Sequence, residues 1–391
     1  PEFQGEWEDH YLSDYLDFKN GLNPKPDKFG RGIKFISVMD ILNNTVITND
    51  CIRVSVDVSE EGLHNFCVEN GDMLFQRSSE TLEDVGRANV YMDDKPAVFG
   101  GFVIRGKKKA EYNPLFFRYL LASPFARRKI IPMGAGAQHF NIGQEGLNRV
   151  KLHFASLDEQ KKIATFLSLL DERIATQNKI IEDLKKLKSA ISKLLFTRKD
   201  LLETTIRLAD IATLKNGYAF QSSKYNILGK WKIITIANVS GGRYINEEDC
   251  NCIINLPNDI QDHQVLKEGD ILISLTGNVG RVSLCKSGAY LLNQRVGLLQ
   301  IEGNIDKEFL YQVLSSRRFE NNMVACGQGA AQMNIGKGDV ENFVLPYSSN
   351  ANNIHLVARI LHSYDECIIN ELRELTLLTM QKQYFLVQMF I

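Results

Sequence analysis

Apolar residues recur at steps of three and four along two long stretches of the sequence. The first runs from Asp158 to Arg198 without Gly or Pro, and the second occupies residues 351–391. These steps place apolar side chains on one face of a helix, as a heptad seam. We therefore predict long helices over residues 157–199 and 351–391. The seam residues are Ile163, Leu167, Leu170, Ile174, Ile181, Leu184, Ile191 and Leu195, and then Val357, Leu361, Tyr364, Ile368, Leu375, Leu378, Phe385 and Met389.

Each seam skips two places, at Gln177 and Lys188 and again at Glu371 and Lys382. The differences 371 − 177 and 382 − 188 both equal 194. In an antiparallel pair, a register with Lys188 against Glu371 also sets Gln177 against Lys382. Polar seam residues specify register, and a buried lysine needs such a partner. The pattern predicts two antiparallel coiled-coil helices with pseudo-twofold symmetry; alternatively, the lysines extend to water and specify nothing.

The remaining segments, residues 1–156 and 200–350, have a different pattern. Short β-branched and aromatic runs such as "IKFISV" and "WKIITIANVS" alternate with Gly, Asn and Asp turns, which predicts strands. "NPLFFRYLLASPFARRKI" has helical spacing and is predicted to pack on a sheet. Each segment is therefore predicted to be an α+β domain.

The two domains repeat one another. "LSDYLDFKNG" returns as "LADIATLKNG", "NGDMLF" and its later "VGR" return as "EGDILI" and "VGR", and "GAGAQHFNIG" returns as "GQGAAQMNIG". The order is the same both times, and the shift stays between 193 and 198 residues. Such a long period indicates two copies of a whole domain with its helix rather than a solenoid.

Composition narrows the class of protein. The 391 residues are 44% hydrophobic and contain no apolar run near the ~18 residues that a membrane span needs. The seven cysteines are scattered, a pattern typical of reduced thiols in a cytoplasm. A net charge of −1 gives no overall attraction to nucleic acid, so any such role depends on local patches.

Several short sequence segments resemble those of the specificity (S) subunit of type I restriction-modification systems. They are the opening "EFQGEWEDHYLSDYLDFKNG", the segments "GDMLF" and "GDILISLTGNVGR", and above all "LDEQKKIA" and "LLDERI". The resemblance covers nearly the whole chain. The second copy departs from it, because "SSNANNIHLVARIL" stands where the first has "SLDEQKKIATFL" and lacks the Glu-Gln pair.

The resemblance implies a non-catalytic subunit without a cofactor or metal of its own. Each target recognition domain would read one half of a bipartite, asymmetric site in double-stranded DNA. The helices would hold the domains apart and dock two modification subunits, which carry S-adenosylmethionine and methylate adenine, and restriction subunits would join them. Two other classes stay open: a coiled-coil scaffold for proteins, and an enzyme such as a nuclease with an unrecognised site.

Candidate DNA contacts follow from the chemistry of base and phosphate recognition. Arg, Lys, Asn and Gln reach base edges, while hydroxyls and cations contact phosphates. The alternatives are ordinary hairpins and structural loops, and for the basic clusters "GKKKAEY" and "FARRK" a solvated face. The candidates are Lys19, Asn20, Gln76, Arg77, Ser78, Arg87, Gln138 and His139 in the first domain, and Lys215, Asn216, Thr276, Asn278, Arg281, Gln328 and Gln332 in the second.

Overall fold

The computed structural model describes residues 7–327 and 333–390. These residues fold into two compact units. Unit 1 comprises the chain through Asn178 together with the segment that starts at Arg373, and unit 2 spans Lys179–Leu372. Each unit contains one of the two repeated domains, which we call domain 1 (residues 7–156) and domain 2 (residues 200–350).

Domain 1 contains two four-stranded sheets. Its strands are β1 Glu8–Tyr11, β2 Leu16–Asn20, β3 Phe29–Ile36, β4 Ser55–Val56, β5 Cys67–Val68, β6 Met73–Gln76, β7 Ser78–Ser79, β8 Ala88–Val90, β9 Ala97–Phe99, β10 Val103–Lys108, β11 Phe140–Asn141 and β12 Lys151–Phe154. The central sheet has the antiparallel order β2-β10-β6-β8. The second sheet, β4-β3-β9-β5, contains one parallel pair, β3 with β9. Short ladders join β1 to β12 and β7 to β11.

The central strand β6 is buried on both faces, which explains its unbroken apolar run. Met73 and Phe75 belong to one hydrophobic cluster, and Leu74 between them belongs to another. Successive side chains of a strand point to opposite faces, so one strand supplies two cores. The first core also contains Phe116 and Leu120 of a covering helix, whereas the second contains residues of the other sheet.

The helices of domain 1 are α1 Leu12–Tyr15, α2 Val38–Asn43, α3 Glu60–Phe66, α4 Pro114–Ala122, α5 Pro124–Ile130 and α6 Gln144–Asn148. The single helix predicted over residues 113–130 is thus two helices. Pro124 disfavours the helical conformation at Ser123, which is extended and accepts a hydrogen bond from the backbone N–H of Ala126 at 3.2 Å. The chain then enters the long helix α7, Leu157–Thr197.

Domain 2 repeats this architecture. Its strands are β13 Thr204–Arg207, β14 Ala212–Asn216, β15 Trp231–Ile234, β16 Cys252–Ile253, β17 Val265–Leu266, β18 Ile271–Ser274, β19 Val282–Leu284, β20 Tyr290–Leu292, β21 Val296–Ile301 and β22 Val344–Tyr347. The sheet orders β14-β21-β18-β19 and β16-β15-β20-β17 match those of domain 1, including the parallel pair β15 with β20. The helices are α8 Lys307–Leu314, α9 Arg317–Cys326 and α10 Lys337–Glu341, followed by the long α11, Ala351–Gln388.

In unit 1 the first part of α7 and the last part of α11 run antiparallel. The rings of Phe166 and Phe385 lie with their centroids 4.8 Å apart. Further along α7, Arg173 pairs with Glu374 at 2.9 Å. Residue numbers thus increase along α7 while those of the contacting residues on α11 decrease, as in an antiparallel pair. Ile163, Leu167, Leu386 and Phe390 join the core of domain 1 and attach both segments to it.

In unit 2 the end of α7 and the beginning of α11 are also antiparallel. Leu195 shares the core of domain 2 with Val357, and Lys188, earlier on α7, contacts Asp365, later on α11. The Lys188 Nζ donates to Asp365 at 2.5 Å, whereas the predicted partner, Glu371, lies six residues further on (371 − 365).

Unit 1 shows the same displacement from the predicted register. Lys382 donates to Asp171, which lies six residues before the predicted Gln177. The prediction set only seam positions opposite one another, but Asp171 directly follows the seam residue Leu170 on the flank of the helix. The long lysine stem reaches this flanking carboxylate from the seam. The two lysines and the two aspartates are each 194 residues apart, so the repeat relates both pairs.

All seven cysteines lie within the described residues, as free thiols. The same residues contain no helix long and apolar enough to cross a membrane. Nor do they contain a cluster of His, Cys, Asp or Glu side chains arranged to hold a metal ion.

Candidate nucleic-acid interface

Three strands of the central sheet of domain 1 meet at one end of that sheet. β2 finishes at Asn20 and β6 at Gln76, while β10 starts at Val103. Gln76 lies opposite Val103, and Asn20 lies opposite Ile104, so these strand ends are neighbours. The backbone N–H of Gln76 also bonds the carbonyl of Arg87 at 2.7 Å. We call this edge, with the turns that leave it, the loop end of domain 1.

Domain 2 builds the same edge from equivalent strands. β14 finishes at Asn216, opposite Gly297, and β18 finishes at Ser274, opposite Val296, where β21 begins. The backbone N–H of Ser274 bonds the carbonyl of Arg281 at 2.9 Å. The loop end of domain 2 therefore repeats that of domain 1, strand for strand.

Two loops that are far apart in sequence pair at the loop end of domain 1. Ser78 lies opposite Asn141 and Ser79 opposite Phe140, and the Ser78 hydroxyl donates to the Asn141 side chain. The backbone N–H of Ile142 bonds the carbonyl of Arg77 at 2.9 Å. The "GAGAQHFNIG" loop is thereby fixed against the turn that follows β6.

Domain 2 pairs its equivalent loops in the same way. Thr276 forms a bridge with Asn334, and the backbone N–H of Gly277 bonds the carbonyl of Met333 at 2.9 Å. The backbone N–H of Ile335 bonds Leu275 at 2.9 Å. The repeated loop therefore has the same structural partner in both domains.

The glycine of the repeated "VGR" motif is required by its backbone conformation and its close packing. Gly86 and Gly280 have φ angles of +69° and +76°, which L side chains rarely adopt. A Cβ on Gly86 would lie 2.6 Å from Ile130, and one on Gly280 would lie 2.6 Å from Met323. Each glycine lets its turn pack on the helix below, which fixes the arginine that follows.

Cationic side chains surround the loop end of domain 1. Arg77 Nη1 donates to the carbonyl of Gly101 at 3.3 Å, and Arg87 Nε contacts Asp84 at 2.6 Å. Arg127, from α5, donates at 2.7 Å to the carbonyls of both Glu83 and Val85. Burial, together with the nearby positive Arg87, lowers the pKa of Arg127 to about 10. Arg127 supports the turn from below, and Arg77 and Arg87 stand at its surface.

The structure leaves most of the candidate DNA contacts accessible. In domain 1, Lys19, Asn20, Arg87, Gln138 and His139 are exposed, and Arg77 and Ser78 are half-buried. In domain 2, Asn216 and Asn278 are exposed, and Lys215, Thr276 and Arg281 are half-buried.

Two of the candidates, Gln76 and Lys19, make hydrogen bonds within domain 1. Gln76 is only 5% exposed, and its amide donates to the Ser78 carbonyl at 2.9 Å, so it shapes the turn instead of facing outward. Successive residues of a strand point to opposite faces, and the residue types around Gln76 do not show which face it takes. Lys19 is exposed, but its Nζ donates to the carbonyl of Asn65 at 2.8 Å. Gln328 and Gln332 lie outside the described residues.

The cluster Lys107, Lys108 and Lys109 lies at the opposite end of the central sheet. Lys107 pairs with Glu69 at 2.8 Å, and Lys108 pairs with Glu111 at 3.2 Å. These charges are thus neutralised locally and are separate from the loop end.

An aspartate on α7 ties domain 1 to the long helices within unit 1. Asp171 accepts hydrogen bonds from Tyr119 at 2.7 Å and from Arg118 at 3.4 Å, and also from Lys382 of α11. Burial and this hydrogen bond to Asp171 raise the pKa of Tyr119 above its ordinary value, which keeps the phenol a donor. One carboxylate therefore joins the domain to both helices.

Asp365 on α11 does the same within unit 2. It accepts from Gln312 at 2.6 Å and from Arg243 at 3.0 Å, in addition to Lys188 of α7. Arg243 also forms two hydrogen bonds with Glu308, at 2.8 and 2.6 Å. Burial alone would lower the pKa of Arg243, but these carboxylates raise it above its ordinary value.

Sequence reasoning missed these aspartates. Asp171 and Asp365 are 194 residues apart, as are the two seam lysines. Arg118 and Gln312, which bind these aspartates, are also 194 residues apart. A search for charged positions shared by both copies outside the seam would have found Asp171 and Asp365. The pairing of the two loops at each loop end had no comparable sequence signal.

Comparison with known proteins agrees with this architecture. The family model for the type I restriction modification DNA specificity domain matches residues 4–186 and again 203–379. The chain is 25% identical over 365 residues to a Methanocaldococcus jannaschii protein named as the MjaX specificity subunit, covering 88% of this chain and 84% of that one. It is 28% identical over 282 residues to the type I restriction enzyme MjaVIII specificity subunit of the same organism, covering 66% and 65% of the two chains.

Solved structures share the fold. The type I restriction-modification S subunit of M. genitalium aligns with a TM-score of 0.57 at 17% identity, covering 99% of this chain and 96% of that one. A second solved chain comes from a study of complex assembly and conformational transition of the type I R-M system. It aligns with a TM-score of 0.61 at 15% identity, covering 99% of this chain and 98% of that one. The resemblance noted in the sequence is thus confirmed: this chain belongs to the family of type I restriction-modification specificity subunits, with one DNA specificity domain in each half.

Proposed function

We propose that the loop ends of domains 1 and 2 are the DNA-reading surfaces, each contacting one half of a bipartite site in double-stranded DNA. The observation that carries this proposal is the duplication of one loop architecture with different side chains. Ser78 pairs with Asn141 in domain 1 as Thr276 pairs with Asn334 in domain 2, whereas Arg77, next to this pair in domain 1, corresponds to Leu275 in domain 2. A shared backbone with different donors and acceptors suits readers of two different half-sites.

The chain itself acts as a non-catalytic reader in this proposal. The long helices α7 and α11 set the separation of the half-sites and dock two modification subunits. S-adenosylmethionine and adenine methylation belong to those partners, and restriction subunits join the same complex. The family match supports this assignment, while the particular partners are part of the proposal.

The first test is a map of methylated adenine across the genome. Long-read sequencing would compare cells that express the modification subunit with and without this chain. We expect one gapped, two-part motif to disappear when the chain is deleted. An unchanged methylation map, with the modification subunit expressed, would contradict the proposal and favour a protein scaffold.

A second test asks whether the loop end is the reading surface. Arg77→Ala and Lys107→Ala each remove one positive charge from domain 1, but Arg77 lies at the loop end and Lys107 at the opposite end of the sheet. DNA binding by the assembled complex would be measured over a range of salt concentrations. If Arg77 contacts a phosphate, its removal makes the negative slope of log K against log salt less steep by about 0.9, and Lys107→Ala leaves that slope unchanged. Equal slopes for both variants would place the surface elsewhere.

A further inference from the structure

A turn beside the paired loops of domain 1 presents an aromatic side chain to solvent. The turn joins β9 to β10, and Phe102 within it is 68% exposed. Burying a phenylalanine side chain typically stabilises a protein by about 1.5–3 kcal/mol, and here that contribution is not used. Single exposed apolar side chains are common on protein surfaces, so the significance of Phe102 lies in its place, on a turn bonded to Arg77 at the loop end.

Phe102 is not on a loose loop. The backbone N–H of Val103 bonds Gly100 at 2.8 Å, and that of Arg77 bonds the Phe102 carbonyl at 2.9 Å. A Cβ on Gly101 would lie 2.0 Å from Asn23 Oδ1, so the turn packs closely against its neighbour. The aromatic ring is thus held outward beside Arg77, one of the residues at the loop end.

Domain 2 has the same turn with a different side chain. The backbone N–H of Val296 bonds Asn293 at 2.9 Å, and that of Leu275 bonds the Arg295 carbonyl at 3.0 Å. Arg295 therefore occupies the place of Phe102, with a shift (295 − 102) of 193 residues, and it is also exposed. One backbone frame presents an aromatic ring in one domain and a guanidinium in the other.

We propose that Phe102 and Arg295 are specificity-determining residues, each reading one base pair of its half-site. Phe102 packs on the 5-methyl group of a thymine, and Arg295 donates two hydrogen bonds to O6 and N7 of a guanine. Both contacts belong to major-groove recognition, in which apolar groups read the thymine methyl and arginine reads guanine. This inference rests on the proposed function, because it requires the loop ends to face DNA.

The test exchanges the two side chains in the full chain assembled with its modification subunit. Binding would be measured to duplexes in which each base pair of the recognised site is varied in turn. Phe102→Ala is expected to lower the preference for one A·T pair about fourfold, the value of one buried methyl group. Phe102→Arg moves the preference at that pair toward guanine. Arg295→Phe loses about 5- to 150-fold preference for one guanine in the other half.

Each variant carries its own control, because the half-site read by the unaltered domain keeps its preferences. Equal thermal melting of all variants shows that the exposed positions were changed without unfolding. If Phe102→Ala weakens binding to every sequence equally, or leaves all preferences unchanged, the assignment of a base to Phe102 is wrong. If the wild-type complex selects no bipartite site at all, the proposed function fails instead.

Discussion

The two units attach their domains to the long helices through one shared device and through further contacts that differ between the units. The shared device is a helix aspartate, Asp171 in unit 1 and Asp365 in unit 2, bound by a seam lysine of the other helix. Unit 2 adds Arg243, which bridges Asp365 and Glu308. The lysine–aspartate bond is thus common to both copies, whereas the domain residues that bind the aspartate differ, being Tyr119 and Arg118 in unit 1 and Arg243 and Gln312 in unit 2.

Unit 1 makes its own additions at the beginning of α7. Gln160 is 2% exposed, accepts from the backbone N–H of Asn113 at 2.9 Å and donates to the carbonyl of Ala155 at 2.9 Å. The equivalent place in unit 2, 194 residues on, is Ile354, which packs in the hydrophobic core. The departure from "LDEQKKIA" in the second copy therefore exchanges hydrogen bonds for apolar packing. The same attachment of a long helix to its domain can therefore be made by buried hydrogen bonds, as at Gln160, or by apolar packing, as at Ile354, where the neighbouring residues differ accordingly.

The largest expected difference between the units follows removal of the shared aspartates. Asp365→Ala leaves Arg243, whose side chain is 7% exposed, without one of its carboxylates and also removes the partner of Lys188. Breaking such a buried pair costs about 3–5 kcal/mol. Asp171→Ala is expected to cost less, about 1–3 kcal/mol, because Lys382 and Arg118 are 23% and 15% exposed and can turn to water.

Urea unfolding combined with amide hydrogen exchange would measure these costs, since exchange assigns the loss of stability to one unit or the other. Glu182→Ala is the matched control, because it removes an acid from a surface pair with Lys186 on α7. That substitution should change the unfolding free energy by no more than about 0.5 kcal/mol. Equal losses for Asp365→Ala and Asp171→Ala would show that Arg243 adds nothing to the shared device.

A smaller effect is expected from making unit 1 resemble unit 2. Gln160→Leu leaves the half-buried Asn113 N–H and the buried Ala155 carbonyl without this partner, at a cost of about 1–3 kcal/mol. Ile354→Val, the control in unit 2, removes only one methylene and should cost about 0.5–1.5 kcal/mol. Urea unfolding of both variants checks the order. A Gln160→Leu protein as stable as the wild type would mean that packing replaces these hydrogen bonds without loss.

The sequence predicted the architecture because apolar periodicity and internal repetition are direct consequences of burial and duplication. The long helices, the two α+β domains and the repeated loops all leave such a signal. The partners of Lys188 and Lys382 left no such signal in the sequence, because a flexible lysine side chain binds whichever carboxylate lies within its reach and not only one at a seam position. Gln76 shows the same limit: its residue type suits a base contact, but the register of β6 turns it inward. Phe102 was missed because an isolated phenylalanine in a sequence is expected in a core.

The smallest expected difference is the pH-dependent stability that Glu308 contributes to unit 2. Burial favours the neutral acid, but hydrogen bonds from Arg243 and Gln312 outweigh it and hold the pKa of Glu308 below its ordinary value. A lowered carboxyl pKa contributes stability that is fully present above the ordinary pKa, about 4.3, and is lost as the pH falls through the folded-state pKa. The difference in unfolding free energy between the wild type and Glu308→Gln should therefore narrow as the pH is lowered from about 6 to about 3. The equivalent residue in domain 1 is Pro114, so amide exchange in unit 1 should show no such narrowing. A constant difference at all pH values would mean that Glu308 stabilises unit 2 by its shape and hydrogen bonding alone, and that the charge of Arg243 is satisfied by Asp365.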